Sequence, residues 1–538
     1  MDTSVSAPAR PGQLFSRESS GFVRVGTPWR MLLLNVANIG VAYIMFTYWL
    51  HPAIFPKSNL LIAIPVALAL AIPFNLLYGM FASIMPRTGS EYVYLSRTFH
   101  PVVGFMASFA AATSQAFWVG VGGYWISSYV LGPLMSSYGV ISGNGTIAAI
   151  GEWASDPGNA FFLAAAFVLA MAALNWFGLR AYLRFQDINW VIGAITGVLL
   201  LIILFGSSNQ TFQGNWDQYA ATAEVPTYQQ TINSARQGGM PTGFSWFETL
   251  GILPIIWLIA WASTYVGAEV RTPAKTQLRA TVGGVILYAA IAWVLMLAIT
   301  RSASLDFNQA LAWLSFNPPA QGNVEAYPVF MLYAGVLTQN ILVFLAIAVG
   351  LVLWSYFWIP SAMIISTRAM FSWSFDRLAP EKLSAVHPRH HSPYVAISVV
   401  TVIALAFLFM YYKEYVNVLA PALAYYVVFF LVSLCGVVFP YMKRTRPLWE
   451  NSSVNWRFAG IPVMTLCGIV GLFYFGFSLY LMLFNEALGA GLALNSPTQR
   501  IVTGLQFAVP FLVFWGIRAY RKRQGIPIDA TLREIPPE

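Results

Sequence analysis

Stretches of about twenty apolar residues succeed one another along nearly the whole chain, each bounded by charge, proline or glycine. A helix needs about 20 such residues to cross roughly 30 Å of hydrocarbon, and in lipid it must satisfy its backbone polar groups internally. Twelve stretches qualify, at about residues 31–51, 59–83, 101–135, 159–179, 187–206, 246–268, 279–300, 338–366, 394–412, 416–441, 461–484 and 499–517. Only 9% of the 538 residues are Asp, Glu, Lys or Arg, whereas a soluble domain carries roughly 25%. Such a chain cannot cover a water-facing surface of the size its length demands. A soluble enzyme, a disordered chain, a collagen and a nucleic-acid binder are excluded.

The net charge of +9 has a topological account. With twelve spans and both termini cytoplasmic, all but five of the 29 Lys and Arg lie inside; the exceptions are Lys57, Arg236, Arg301, Lys413 and Arg500. Splitting residues 327–371 into two spans reverses that bias downstream, which the positive-inside rule disfavours. One span plus an outer re-entrant helix near 327–337 is expected instead. The chain then divides into a disordered cytoplasmic tail (1–30), a first five-helix unit (31–206), an extracytoplasmic loop read as a solvated cap (207–245), a second five-helix unit (246–441), two further helices (442–517) and a cytoplasmic tail (518–538). Trp29, Trp49, Trp153, Trp176, Trp246 and Trp515 fall near span ends, where interfacial aromatics belong. Cys435 and Cys467 lie in apolar stretches without metal or disulfide spacing.

No Asp, Glu, Lys, Arg or His falls near the centre of a span. His51, His100, His387, His390 and His391 sit at span ends or in loops, so haem, intramembrane metalloprotease and His-based acyl-transfer sites lack their ligands or bases. No phosphate-cradling GxxxxGK[ST] loop occurs either. A membrane-embedded enzyme and a self-contained ATPase are therefore disfavoured. The polar groups left within spans are neutral: Asn35, Asn38, Asn75, Gln115, Asn175, Asn340, Ser355, Ser361, Ser366 and Thr367. Near the cytoplasmic ends, Glu91, Asp187 and Glu269 are expected to pair with Arg87, Arg184 and Arg271.

Neutral spans can still bind a small zwitterion where a helix unwinds at mid-membrane, exposing amides to a carboxylate and carbonyls to an ammonium or cation. Span one offers Asn38-Ile39-Gly40-Val41-Ala42-Tyr43. Span six offers Pro254, which removes a helix hydrogen bond one turn upstream, followed by Trp257-Leu258-Ile259-Ala260-Trp261 and Tyr265. Breaks in spans one and six point to an all-α polytopic membrane protein with five-plus-five inverted repeats and two additional C-terminal helices. Substrate is expected between spans one, three, six and eight. In that arrangement amides of Gly40 to Tyr43 face a carboxylate, carbonyls of Ile39 and Leu258 to Ala260 face an ammonium, and Trp257, Trp261 and Tyr265 gate or select.

Several segments, in chain order, resemble the amino acid permeases of the amino acid-polyamine-organocation superfamily, bacterial and archaeal type. These are Met85-Pro86-Arg87-Thr88-Gly89-Ser90-Glu91-Tyr92-Val93-Tyr94 with Gly104-Phe105, then Glu269 to Pro273 with Arg279-Ala280. Ser366-Thr367-Arg368, Asp376-Arg377-Leu378-Ala379-Pro380 and Lys443 to Pro447 complete the set. The sequence departs from the family pattern at Gly40-Val41-Ala42-Tyr43-Ile44, where the family has Gly-Ser-Gly-Ile-Phe. It departs again at Ile259-Ala260-Trp261, where an acid is common, and in lacking a Lys in span five. The resemblance implies a secondary transporter of an amino acid or related small amine in the cytoplasmic membrane, without catalytic residues or a bound cofactor. Na+ or H+ are the candidate coupling ions, and Ser361 is the candidate sodium ligand. A permease for another organic cation or nucleobase, a passive channel and a transport-like sensor are the alternatives.

Overall fold

The computed structural model describes residues 21–532, apart from 42, 45–47, 49–50, 319–329, 339, 357, 486–487, 489–496 and 527. It is an all-α polytopic membrane protein. Ten helices among the described residues are long and apolar enough to cross a bilayer: Leu60–Ile84, Pro101–Ser142, Pro157–Trp176, Leu179–Gly206, Pro273–Ala303, Ile341–Phe375, Tyr394–Tyr412, Pro421–Val438, Val463–Phe484 and Pro497–Arg523. They fall on expected spans two to five and seven to twelve. Expected spans one and six are missing from the set because each is interrupted. In place of two spans at 327–371, the described residues form a short helix, Phe330–Leu337, all eight of whose residues are buried, and then a single candidate span, Ile341–Phe375.

Span five shows how these helices face lipid. Ile188, Val191, Ile195, Val198 and Ile202 recur at helical spacing and are all exposed, as an apolar solvent permits. Where helices meet, small residues bring backbones together. Gly120 and Gly123 of span three lie against the backbones of Ala404 and Ala164, so a side chain at either would displace span nine or span four. Span three runs on past its expected end through a π-helical turn at Ser127–Leu131 to Ser142.

Residues 207–245 are not the solvated loop expected. Helices Asn209–Ala223 and Tyr228–Gln237 bury Phe212, Trp216, Tyr228 and Ile232. Tyr228 stacks on Phe307 at 4.5 Å between ring centroids, and Trp216 meets the same ring edge-on at 4.9 Å. The polar residues that suggested solvation do local work instead: Thr227 and Gln230 form a capping box at the second helix. These two helices lie on what we call the distal face.

The opposite, proximal face carries the start of span one and the short helix Glu91–Thr98. The amides of Val25 and Gly26 both donate to the Glu269 carbonyl at 2.9 Å, and Arg271 N–H returns a bond to the Gly26 carbonyl at 3.2 Å. Two buried ion pairs lock the layer. Arg97 donates to Asp376 at 2.8 Å, where Tyr92 also donates at 2.7 Å, and Arg368 reaches the two oxygens of Glu269 at 3.1 and 3.3 Å. Removing one member of such a pair strands the other charge, at a cost of about 3–5 kcal/mol. Arg97→Met should therefore lower the thermal midpoint in detergent sharply, and Arg97→Met combined with Asp376→Leu should recover most of the loss.

Candidate functional site

Span one winds as a helix from Pro28 to Ile39 and stops at Gly40, whose φ of +89° suits glycine and strains other residues. Helical geometry resumes at Val41, Tyr43 and Ile44. A side chain at Gly40 would also stand 3.1 Å from the indole of Trp358. Span six is opened much further. Helix Trp246–Gly251 gives way to turns through Pro254, an irregular stretch from Trp257 to Trp261, and short 3-10 turns at Ala262–Tyr265 and Gly267–Glu269.

An unwound stretch in lipid would leave several backbone groups stranded, each costly when unpaired. Neighbouring side chains take them up. Asn75 of span two acts as a surrogate peptide, donating from Nδ2 to the Leu258 carbonyl at 3.0 Å while its Oδ1 accepts from Ala260 N–H at 2.6 Å. Asn35 Oδ1 accepts from Ser263 N–H at 2.7 Å, and Gln277 Nε2 donates to the Ser263 carbonyl at 2.8 Å. Hydroxyls of Tyr426, Tyr43 and Tyr474 donate to the carbonyls of Pro254, Ile255 and Leu253 at 2.5, 3.1 and 3.2 Å. The Gly40 carbonyl likewise receives Tyr288 OH at 3.3 Å.

Beside the two breaks lies a cavity of about 270 Å³. Asn38, Ile39 and Tyr43 of span one and Trp257 of span six line it, with Gln115, Trp118 and Trp125 of span three, Trp358 and Ala362 of span eight, and Tyr425 of span ten. It extends distally to His51, Phe316 and Asn417. The wall is a cage of aromatic rings: Trp118 lies 5.5 Å from both Trp125 and Trp358, and Trp257 lies 5.3 Å from Tyr425. Among the described residues, no Asp, Glu, Lys or Arg contributes to the lining. Three lining residues have buried polar atoms without a protein partner, namely Asn38 Oδ1, Trp358 Nε1 and both ring nitrogens of His51.

Of the residues singled out from sequence, Asn38, Ile39, Tyr43 and Trp257 reach the cavity. Gly40, Val41, Leu258, Ile259, Ala260, Trp261 and Tyr265 are buried behind its wall, and Ala42 lies outside the described residues. The Leu258 carbonyl, expected to face an ammonium, is engaged by Asn75. Ser361 stands next to the site: its hydroxyl donates to the Trp358 carbonyl at 2.5 Å and accepts from Asn38 Nδ2 at 3.5 Å. Gln115 was visible as a polar residue in a span but not as part of the site, where it accepts from Asn38 Nδ2 at 3.3 Å. Trp118 and Trp125 were also missed, although seven residues is two helical turns and puts them on one face.

The acidic residues pair differently from expectation. Asp187 binds Arg30 at 2.7 Å rather than Arg184, and Glu269 binds Arg368 rather than Arg271. In both cases a tertiary contact reaches a cation more than a hundred, or nearly a hundred, residues away, which loop proximity cannot reveal. Among the described residues Glu91 forms no ion pair: one carboxylate oxygen accepts from Tyr265 OH, and Oε2 has no partner.

A family model described as Amino acid permease matches residues 28–513, from the first residue of span one into the last span. The chain belongs to this family. Membership places it in the amino acid-polyamine-organocation superfamily and makes it a transporter of amino acids or related compounds. In this permease the opened span six depends on Asn75. Asn75→Leu strands the Leu258 carbonyl and the Ala260 amide, each costing about 1–3 kcal/mol. The expected result is a lower thermal midpoint and faster amide exchange confined to the segment around 256–264, measured by hydrogen–deuterium exchange.

Proposed function

We propose that the protein is a secondary active transporter that carries an amino acid or related small amine across the cytoplasmic membrane by alternating access. The observation that supports this best is the aromatic cavity at the junction of the two interrupted spans, with partnerless polar atoms on residues of its wall. Its volume lies just below the ~300–1,000 Å³ typical of small-molecule pockets. Buried polar atoms without partners are expensive in the protein alone, so a ligand offering a donor to Asn38 Oδ1 and an acceptor to Trp358 Nε1 is favoured. The amides of Gly40 and Tyr43, expected to face a carboxylate, are bound to the Val36 and Gly40 carbonyls at 3.1 and 3.0 Å. What the Gly40 break offers a carboxylate is therefore the positive end of the peptide dipoles that resume after it. Seven Phe, Tyr and Trp rings among the described lining residues favour an apolar or aromatic side chain on the substrate, and can also face an ammonium by cation–π attraction.

Asn38, Ile39, Gly40, Val41, Tyr43 and Trp257 remain the core of the proposed site, joined by Gln115, Trp118, Trp358 and Tyr425. Trp261 and Tyr265 act beneath it, on the proximal side. The lack of an acid among the described lining residues argues against a polyamine, which would need counter-charges to leave water. The proximal face is sealed by the Arg97–Asp376 and Arg368–Glu269 pairs, while the cavity extends distally, so this conformation is read as one closed toward the cytoplasm.

A thermal-shift screen of purified protein against amino acids, amines and nucleobases should find stabilising ligands by mass action. Asn38→Leu should weaken binding of the best of them about tenfold, corresponding to roughly one hydrogen bond of 1–1.5 kcal/mol, with the unliganded midpoint little changed. Saturable counterflow in proteoliposomes is expected of a carrier. Linear, non-exchanging flux would mean a channel and defeat this reading.

A further inference from the structure

Five Asp, Glu and Arg side chains are fully buried among the described residues: Glu91, Arg97, Glu269, Arg368 and Asp376. Four of them form the two ion pairs of the proximal face, and Glu91 is left without a cation. Its carboxyl is completely buried, one oxygen accepting from Tyr265 OH and Oε2 meeting no donor. Tyr265 belongs to the opened part of span six, and its neighbour Thr264 shares a 2.6 Å hydrogen bond with Ser90, next to Glu91. Glu91 thus fastens the loop helix Glu91–Thr98 to the proximal end of the interrupted span. Only a layer of rings separates it from the cavity: Trp261 packs on Tyr425 at 5.7 Å, and Tyr425, within electrostatic reach of the carboxyl, lines the cavity.

Among the described residues, the groups around Glu91 cannot neutralise an anion. Span six presents Tyr265, span two Tyr78, the loop helix Tyr94, and span ten Tyr425 and Cys435, all uncharged near neutrality. Span three, which packs along the loop helix, has no Asp, Glu, Lys, Arg, His or Cys. Arg97 and Arg368 are bound to Asp376 and Glu269, and Arg87 makes no ion pair with Glu91. An unpaired buried carboxylate neutralises rather than bear the cost of desolvation.

Resting on the transport reading above, we propose that Glu91 binds the coupling proton of the cycle, holding it while the proximal face is sealed and releasing it when that face opens to water. On release the carboxyl O–H bond breaks, the proton passes to an entering water, and the carboxylate keeps the hydrogen bond from Tyr265 while its charge is hydrated. Resealing leaves a buried anion, whose desolvation cost is relieved by a proton drawn from the distal cavity beyond Trp261 and Tyr425, so each cycle moves one proton from the distal to the proximal side. Burial pushes the carboxyl up from its ordinary 4.5 to about 7, against the lowering effect of hydrogen bonds from Tyr265, the backbone and Ser90. A raised value means that the folded state holds the extra proton. The associated stability is full below pH 4.5 and is lost as pH rises through about 7.

The test compares wild type with Glu91→Gln, which fixes the neutral form. In proteoliposomes, using the L-amino acid selected by thermal shift, wild type should accumulate substrate in response to a pH gradient. Glu91→Gln should lose that accumulation while retaining counterflow exchange, which also shows that the variant is folded. Infrared difference spectra of the purified protein should show a protonated-carboxyl band that titrates near neutrality and is absent from Glu91→Gln. Wild-type uptake that ignores the gradient, a Gln variant that still accumulates, or an infrared band unaffected by the substitution would each overturn the proposal. Failure of counterflow in wild type would instead remove the transport reading, and the infrared titration would still decide whether Glu91 carries the proton.

Discussion

Backbone amides and carbonyls that leave a helix inside hydrocarbon have no water to turn to, and the architecture of this permease follows from that constraint. Span six gives up its helix from Ile252 onward, and the released groups are met by side chains from spans one, two, seven, ten and eleven. Asn75 is the most economical of these, because one carboxamide supplies both the donor and the acceptor that a neighbouring peptide would have provided. The opened segment is thereby held in a defined path rather than left to collapse, and the cavity beside it keeps its shape. The same device limits what the segment can do: a carbonyl already bound to Asn75 or Tyr426 is not available to a substrate.

The proximal face solves a different problem with charge. Arg97, Asp376, Glu269 and Arg368 are removed from water, which is affordable only as matched pairs with additional hydrogen bonds, such as that from Tyr92 to Asp376. Such pairs are stable when dry and separable when wet. A seal built from them can be firm in one conformation and hydrated in another without any change of covalent structure.

Much of the fold was legible because its determinants are local. Span length, the one long span after residue 338, and the interruptions at Gly40 and Pro254 each depend on residues within a turn or two. What escaped depends on residues far apart in sequence. The ion-pair partners of Asp187 and Glu269 come from Arg30 and Arg368, and the ordered distal cap forms because Phe212, Trp216 and Tyr228 find Phe307 and Tyr333. The site was half visible: a glycine and a proline mark where helices open, yet the wall facing the opening is set by Trp118, Trp125, Trp358 and Tyr425. Single aromatics in membrane helices carry no label that separates packing from recognition.

Three hydrogen bonds join the interrupted spans and their neighbours: Asn35 to the Ser263 amide, Tyr43 to the Ile255 carbonyl and Tyr288 to the Gly40 carbonyl. With Asn75 and Gln277 they stitch spans one, two, six and seven into one body. Any rearrangement that spares these stitches must carry the four together, like a rocker on its cradle, and the two kinks would never part company.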